Sequence, residues 1–509
     1  MPHKTNIKSR RAAPTLSGIR VTYTGLVSFA SRIAIVLGNA AFMLIITRTL
    51  PVEEYGAWGI ISTMLVYAVS AEVAVGYWAS REVARGEDSG RTAVASSAAL
   101  SAGGVAAYAG FALAVGSHGG VGLEVMLLAA LLVPLRYVSG TLVRVNLGWR
   151  PHANAYALAA QCAAQIPLAL YFVYHLGWGI PGVVAAFAIS HAVCCAVLAA
   201  YAREKLRGPL EARRLSGWLR LSWVSVYPEV ASVLYRLDVI LFVALAGPVA
   251  VVASWTAALT VAFTVIHSAL IATAIYPKLL GGDGTGHVRG NMTLFLYVAI
   301  PMAAMVISLA GPALYALNPA YAEAHMALAL LAVGMFFTAA SVVFHYMLEG
   351  NEKVDAAGGA SAGDYARSNL FLTPSINVVQ HGTYLAVLAA GFVILSGAPA
   401  ADVLLFWGIA AVATGAPFTA YRYVLARREV GLRLEAAKVA KYLAAAACSF
   451  GAVHVAQIEL LRPAGIFEFM PVLLGLAAAG MAGYAAITLA ADPGTRSLAR
   501  GIVAEIRRR

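Results

Sequence analysis

Long apolar runs separated by short polar turns extend through nearly the whole chain. Each run reaches or exceeds the roughly 20 helical residues needed to cross the hydrocarbon layer of a bilayer. The pattern predicts about fourteen spans, at roughly 21–46, 57–79, 92–116, 121–145, 152–176, 180–202, 219–246, 248–277, 290–317, 322–348, 370–396, 401–426, 437–459 and 466–491. Only helices and closed barrels satisfy their backbone in lipid, and these runs are too long for barrel strands. The expected fold class is therefore an all-α polytopic membrane protein.

Composition agrees with the pattern. Of 509 residues, 61% are hydrophobic and only 12% charged, about half the charged share of a soluble domain. No soluble core could hide that much apolar surface beneath so few polar residues. The first apolar run comes too late and is too long for a cleaved signal peptide, so it is expected to be the first span. Cys162, Cys194, Cys195 and Cys448 all fall within spans without metal-ligand spacing, and read as small buried apolar residues.

The net charge of +12 marks orientation rather than a nucleic-acid partner. Of the 36 Lys and Arg residues, all but five fall in the N-terminus, in every second loop or in the C-terminal tail. Arg48 and Arg462 lie in the opposite loops, and Arg32, Arg136 and Arg236 lie inside spans. This bias predicts both termini in the cytoplasm and an even number of spans.

The most basic interior stretch, 203–218, divides the chain. Pro51 precedes Trp58 by seven residues in the first outer turn, and Pro248 precedes Trp255 by seven beyond the divide. Asn146-Leu147-Gly148 closes the fourth span, and Leu348-Glu349-Gly350 closes the tenth. Spans 1–6 and 7–12 thus read as a parallel repeat, the pattern of two lobes about an axis along the membrane normal. The expected organisation is a basic N-terminus (1–20), an N-lobe (21–202), the linker (203–218), a C-lobe (219–427), two further spans (428–491) and a basic tail (492–509). Two six-helix lobes in a V enclose a cavity that can open to either side, which points to transport.

A charge at mid-bilayer costs about 2.5–3.5 kcal/mol on insertion scales, so each intramembrane charge should face protein or water. Ser28, Arg32 and Asn39 share one face of span 1. Ser225, Glu229, Ser232 and Arg236 share one face of span 7, its repeat equivalent. A cavity lined by these stripes suits an anion, above all a phosphate or diphosphate, because arginine keeps its charge and offers a bidentate fork. The competing reading is an internal salt bridge, such as Arg236 with Glu229. Arg136 lies nearer the cytoplasmic side. Asp238 turns to a different face from Arg236, and with Glu72 and Glu229 it is a candidate for proton or cation coupling. His191, His267, His345, His381 and His454 are scattered and read as structural. No nucleotide-binding loop, metal-ligand spacing or cofactor motif occurs. No outer loop exceeds about twelve residues, which leaves no room for a catalytic domain and argues against an enzyme.

The stretch Arg48-Thr49-Leu50-Pro51-Val52-Glu53-Glu54-Tyr55-Gly56 resembles a signature of polysaccharide flippases, the Wzx-type branch of the multidrug/oligosaccharidyl-lipid/polysaccharide (MOP) exporter superfamily. Further likenesses are Arg236-Leu237-Asp238 followed by Ala246-Gly247-Pro248, Gly311-Pro312 with Asn318-Pro319, and Leu348-Glu349-Gly350. The resemblance implies a V-shaped fold that moves polyprenyl-pyrophosphate-linked oligosaccharide across the cytoplasmic membrane by alternating access. It casts Arg32 and Arg236, with Ser28, Asn39 and Arg136, as cavity residues for the anionic headgroup. It also implies a monomer, with polysaccharide polymerase or export machinery as candidate partners. Spans 13–14 look like the extra pair of lipid II flippases. Glu349 stands where relatives often carry glutamine, and 354–369 lengthens a loop. The alternative on the same fold is a drug/cation antiporter, which would want a lone carboxylate in span 1, where this chain has Arg32 and no acid.

Overall fold

The computed structural model describes residues 38–496 apart from 117–121, 221, 246, 275–284, 353, 355–361 and 464. All regular structure among the described residues is helical. Helix α1 covers 38–49. It is followed by α2 (Val52–Ala84), α3 (Gly90–Gly116), α4 (Leu123–Trp149), α5 (His152–His175) and α6 (Gly179–Ala202). A short amphipathic helix, α7 (Ala212–Arg220), leads into α8 (Trp223–Ala244) and α9 (Val249–Ala262), which continues as a 3-10 helix over Phe263–Ala274. Then come α10 (Thr285–Ser308), the short α11 (Ala310–Leu317), α12 (His325–Gly350), α13 (Asn369–Ile394), α14 (Ala400–Glu429), α15 (Ala436–Leu460) and α16 (Ile466–Ala491).

Twelve helices among the described residues are long and apolar enough to cross a membrane, and the protein is a multi-pass membrane protein. The other two expected spans are special for different reasons. Most of the first, 21–46, lies outside the described residues. The seventh is present as the 22-residue α8, but it carries Glu229, Arg236 and Asp238 and so falls short on apolarity alone. That departure from lipid-like composition is what a helix facing a polar interior requires.

Contacts group the helices. α2, α3, α4 and α6 pack on one another, with α5 on α6; α8 packs on α13, and α9, α10 and α14 gather around α12. α15 packs on α10 and carries α16. The two groups meet mainly where α2 crosses α9, and also where α8 meets α2. Pro51 and Pro248 sit at the same place, the N-terminal cap of these two helices, and Trp58 and Trp255 are both buried. The crossing is made close by glycine. A Cβ at Gly56 would collide with the carbonyl oxygen of Val249, and one at Gly59 would come within 2.6 Å of Thr256 Oγ1. Small residues at such contacts let helix backbones approach in lipid.

The basic linker is docked rather than free. Lys205 Nζ lies 2.7 Å from Asp88 Oδ1, and Trp218 Nε1 donates to Glu82 at 2.8 Å. Arg214 contacts Glu82, Glu87 and Glu211 together. The linker's positive charge is thus partly spent on the ends of α2 and α3.

Candidate functional site

A cavity of about 600 Å³ opens among α8, α12, α13 and α14, with Val66 of α2 closing one side. Its lining runs over Pro228–Arg236 of α8, Leu331–Tyr346 of α12 and Asn377–Tyr384 of α13. At 1.5 Å of helix rise per residue, those stretches occupy the middle of the bundle and the end opposite Arg48. At the Arg48 end the two groups are sealed together. Arg48 donates to the carbonyl oxygens of Tyr315 and Ala316, each at 2.8 Å. Asn318 Nδ2 donates to the Thr47 carbonyl at 3.0 Å, and the rings of Tyr55 and Tyr321 lie 5.6 Å apart.

The polar stripe on α8 faces this cavity. Glu229, Ser232 and Arg236 line it, while Ser225 is buried and donates back to the Ser222 carbonyl at 3.0 Å. Among the described residues no carboxylate lies within 4 Å of Arg236, so the Arg236–Glu229 salt bridge does not form. Arg136, on α4, is likewise without a carboxylate at that distance among the described residues. Of the two, only Arg236 belongs to the cavity lining.

The remaining expected site residues separate. Ser28 and Arg32 lie outside the described residues. Asn39 is exposed beside Cys162 of α5, away from the cavity lining. Glu72 is 7% exposed and is tied up on its own side. It accepts from Thr141 Oγ1 at 2.9 Å and pairs with Arg144 at 3.5 Å. Gly76 and Gly140 make the room for its carboxylate. Asp238, as the helical spacing predicts, faces away from Arg236. It is buried, accepting from Tyr384 Oη at 3.0 Å, Trp407 Nε1 at 3.2 Å and its own neighbour Val239 N at 2.8 Å. His191 and His454 hydrogen-bond main-chain carbonyls, and His345 pairs with Glu349 at 3.2 Å.

Charge counting along the sequence assigned Arg144 and Arg422 to the cytoplasmic side; both sit within helices, and Arg422 is only 1% exposed. Arg422 reaches the cavity wall, donating to Gln380 Oε1 at 2.8 Å, to Ser341 Oγ at 3.3 Å and to Asn377 Oδ1. Its place five residues before Arg427-Arg428, at the end of the helix's apolar run, hid it.

A second hollow, of about 650 Å³ and almost wholly apolar, lies between α10, α12 and α15, with Ile300, Phe336, Leu443 and Phe450 on its walls.

This arrangement of helices has solved counterparts. An inward-facing multidrug resistance MATE family transporter of the MOP superfamily superposes with a TM-score of 0.59 at 16% identity, covering 80% of this chain and 99% of that one. Lipid II flippase MurJ, in an inward closed conformation, gives 0.61 at 10% identity and covers 92% of this chain and 99% of its own. The chain has the fold of the MOP-superfamily transporters. An outward-facing MATE family transporter also matches, at 0.54 and 16% identity over 81% of this chain and 95% of that one. No protein-family model matches the sequence, and no curated protein matches it either. The C-terminal pair α15–α16 follows the two groups in the chain, and the flippase match spans more of the chain than the MATE matches do.

Proposed function

We propose that this protein is a flippase that carries a polyprenyl-diphosphate-linked oligosaccharide across the cytoplasmic membrane by alternating access, for surface polysaccharide assembly. The observation that carries the reading is Arg236 on the cavity wall with no carboxylate within 4 Å among the described residues, and Arg136 of the other helix group is proposed as its companion. A half-buried cation without a carboxylate partner is costly until an anion meets it. A diphosphate meets both guanidinium forks at once. Arg32 is proposed as a third member of the same anion site, approaching from span 1.

The basic residues orient the molecule with its termini in the cytoplasm. The cavity then opens toward the cytoplasm, and the Arg48 end is the closed outer side. The headgroup enters from the cytoplasmic leaflet, the two groups rock, and the seal at Arg48 parts to release it. The prenyl tail needs no polar site; the apolar hollow beside α15 has the chemistry to hold it. The drug/cation antiporter reading rests on Glu229 in the cavity lining, and Arg236 on the same wall opposes it.

The test is surface glycan export in a strain lacking its own flippase, supplied with wild type, Arg236→Ala or Arg136→Ala. Restoration by wild type alone supports the reading. Failure of a well-expressed wild type, together with acquired drug resistance, would establish the antiporter instead.

A further inference from the structure

Arg422 does more than add a charge. A guanidinium has donors only and no acceptor. Side-chain amides that meet it must therefore turn their oxygens toward it and their NH2 groups away. Gln380 and Asn377 both do so, each accepting from Arg422 through its oxygen. Both also line the cavity. A Cβ at Gly415, another lining residue, would stand 4.0 Å from Gln380 Nε2, which places that nitrogen on the cavity side. Neither NH2 group has a hydrogen-bond acceptor among the described residues. Asn377 and Gln380 are three apart on α13, hence neighbours on one helix face.

The result is a pair of neighbouring amides that turn N–H donors toward the cavity. It is backed by a buried positive charge with neutral partners, Ser341, Asn377 and Gln380, and no carboxylate within 4 Å among the described residues. Such a pair reads oxygen acceptors and favours anionic ones. We propose that Asn377 and Gln380, oriented by Arg422, form a subsite that takes a carboxylate-bearing sugar of the transported glycan. This deepens the flippase reading and rests on it: the diphosphate lies at Arg136 and Arg236, and the sugar carboxylate reaches the α13–α14 wall. A cavity of about 600 Å³ has room for sugar units beside the anion site.

The experiment uses the full-length chain in nanodiscs and two probes. One is a short-chain polyprenyl diphosphate carrying glucuronic acid, and the other is its glucose counterpart. Wild type is expected to prefer the glucuronyl probe by about tenfold, since a desolvated charge-assisted contact is at stake. The key variant is Gln380→Glu. It is isosteric and keeps an oxygen for Arg422, so it holds the fold, but it replaces the cavity-facing NH2 by a carboxylate oxygen. It is expected to lower glucuronyl affinity by about tenfold or more, through like-charge repulsion, and to leave glucosyl affinity within about twofold. Arg422→Lys keeps the charge but lacks the fork that holds both amides; it is expected to lose part of the preference with unchanged glucosyl affinity. Equal wild-type affinity for the two probes would overturn the subsite. An equal fall for both probes in Gln380→Glu would also overturn it, placing the diphosphate there instead. Binding of neither probe by wild type would overturn the lipid-diphosphate reading, and this inference with it.

Discussion

Arg48 Nη2 donates to the carbonyl oxygen of Tyr315 at 2.8 Å, across the division between the two helix groups. Its Nε takes the next carbonyl, that of Ala316, and its guanidinium stands 5.9 Å from the Tyr315 ring centre. These carbonyls close the C-terminal end of α11, where a helix leaves acceptors unpaired and carries partial negative charge. The residues that resemble a flippase signature thus form a seal: Arg48, Tyr55 and Gly56, with Thr47 just before them, all touch the other group.

Opening at that end must break the seal, so Arg48→Ala is expected to favour the open state. Hydrogen bonds from a charged donor contribute about 1.5–3 kcal/mol, enough to shift the population by an order of magnitude. Spin labels on Glu53→Cys and Glu323→Cys in a cysteine-free background read the change. Longer distances are expected in Arg48→Ala, and an unchanged distribution would refute the gate.

The α2–α9 crossing depends on glycine. Gly56→Ala drives a methyl into the Val249 carbonyl, whereas a Cβ at Gly103 meets nothing within 4 Å. Overpacking of this kind costs about 1–3 kcal/mol. Thermal unfolding in detergent should show a clear loss for Gly56→Ala and little change for Gly103→Ala; equal melting of the two would contradict the close contact.

Asp238 is expected to act as a packing residue rather than a coupling site. Asp238→Ala leaves the Tyr384 hydroxyl and the Trp407 N–H with only each other, at 2.9 Å, and should cost about 1–3 kcal/mol. Asp238→Asn keeps an acceptor and should retain both stability and the pH dependence of transport. A flattened pH profile in a stable Asp238→Asn protein would return the residue to the coupling role.

Charge and fork separate at Arg236. Arg236→Lys should keep part of the export activity that Arg236→Ala loses, since lysine supplies charge without bidentate geometry. Full activity in Arg236→Ala and Arg136→Ala alike would remove the anion site from the mechanism.

Beyond the end of α16, Asp492 accepts from Thr495 Oγ1 at 2.7 Å, Thr495 N at 2.9 Å and Lys441 Nζ at 3.1 Å. The Thr495 hydroxyl above all holds its carboxyl down at about 2, against an ordinary 3.8. A depressed pKa stabilises the fold above the unfolded value and stops doing so as pH falls through the folded one. The tie between α15 and the end of α16 should therefore persist down to about pH 4 and weaken between there and pH 2. Proteolysis of the C-terminal tail across that range, compared with Asp492→Asn, measures it. A profile identical in the two proteins would show that the carboxylate contributes nothing.

The sequence by itself determined the helical membrane class and most of the span positions, because span length and apolarity are set by bilayer thickness and not by neighbours. It also determined that Glu229, Ser232 and Arg236 share a face and that Asp238 does not, because helix periodicity alone decides this. Tertiary structure decided the partners. Glu72 meets Thr141 and Arg144 from a helix some 70 residues away, and Asp238 meets Tyr384 and Trp407 from farther still. Arg422 shares a buried face of its helix with Thr414 and Thr419, but its role exists only because α13 brings Asn377 and Gln380 against it. Local periodicity tells which way a side chain points, but what it meets there depends on how the helices pack, and that is where an ion pair, a clasp and a binding wall become different things.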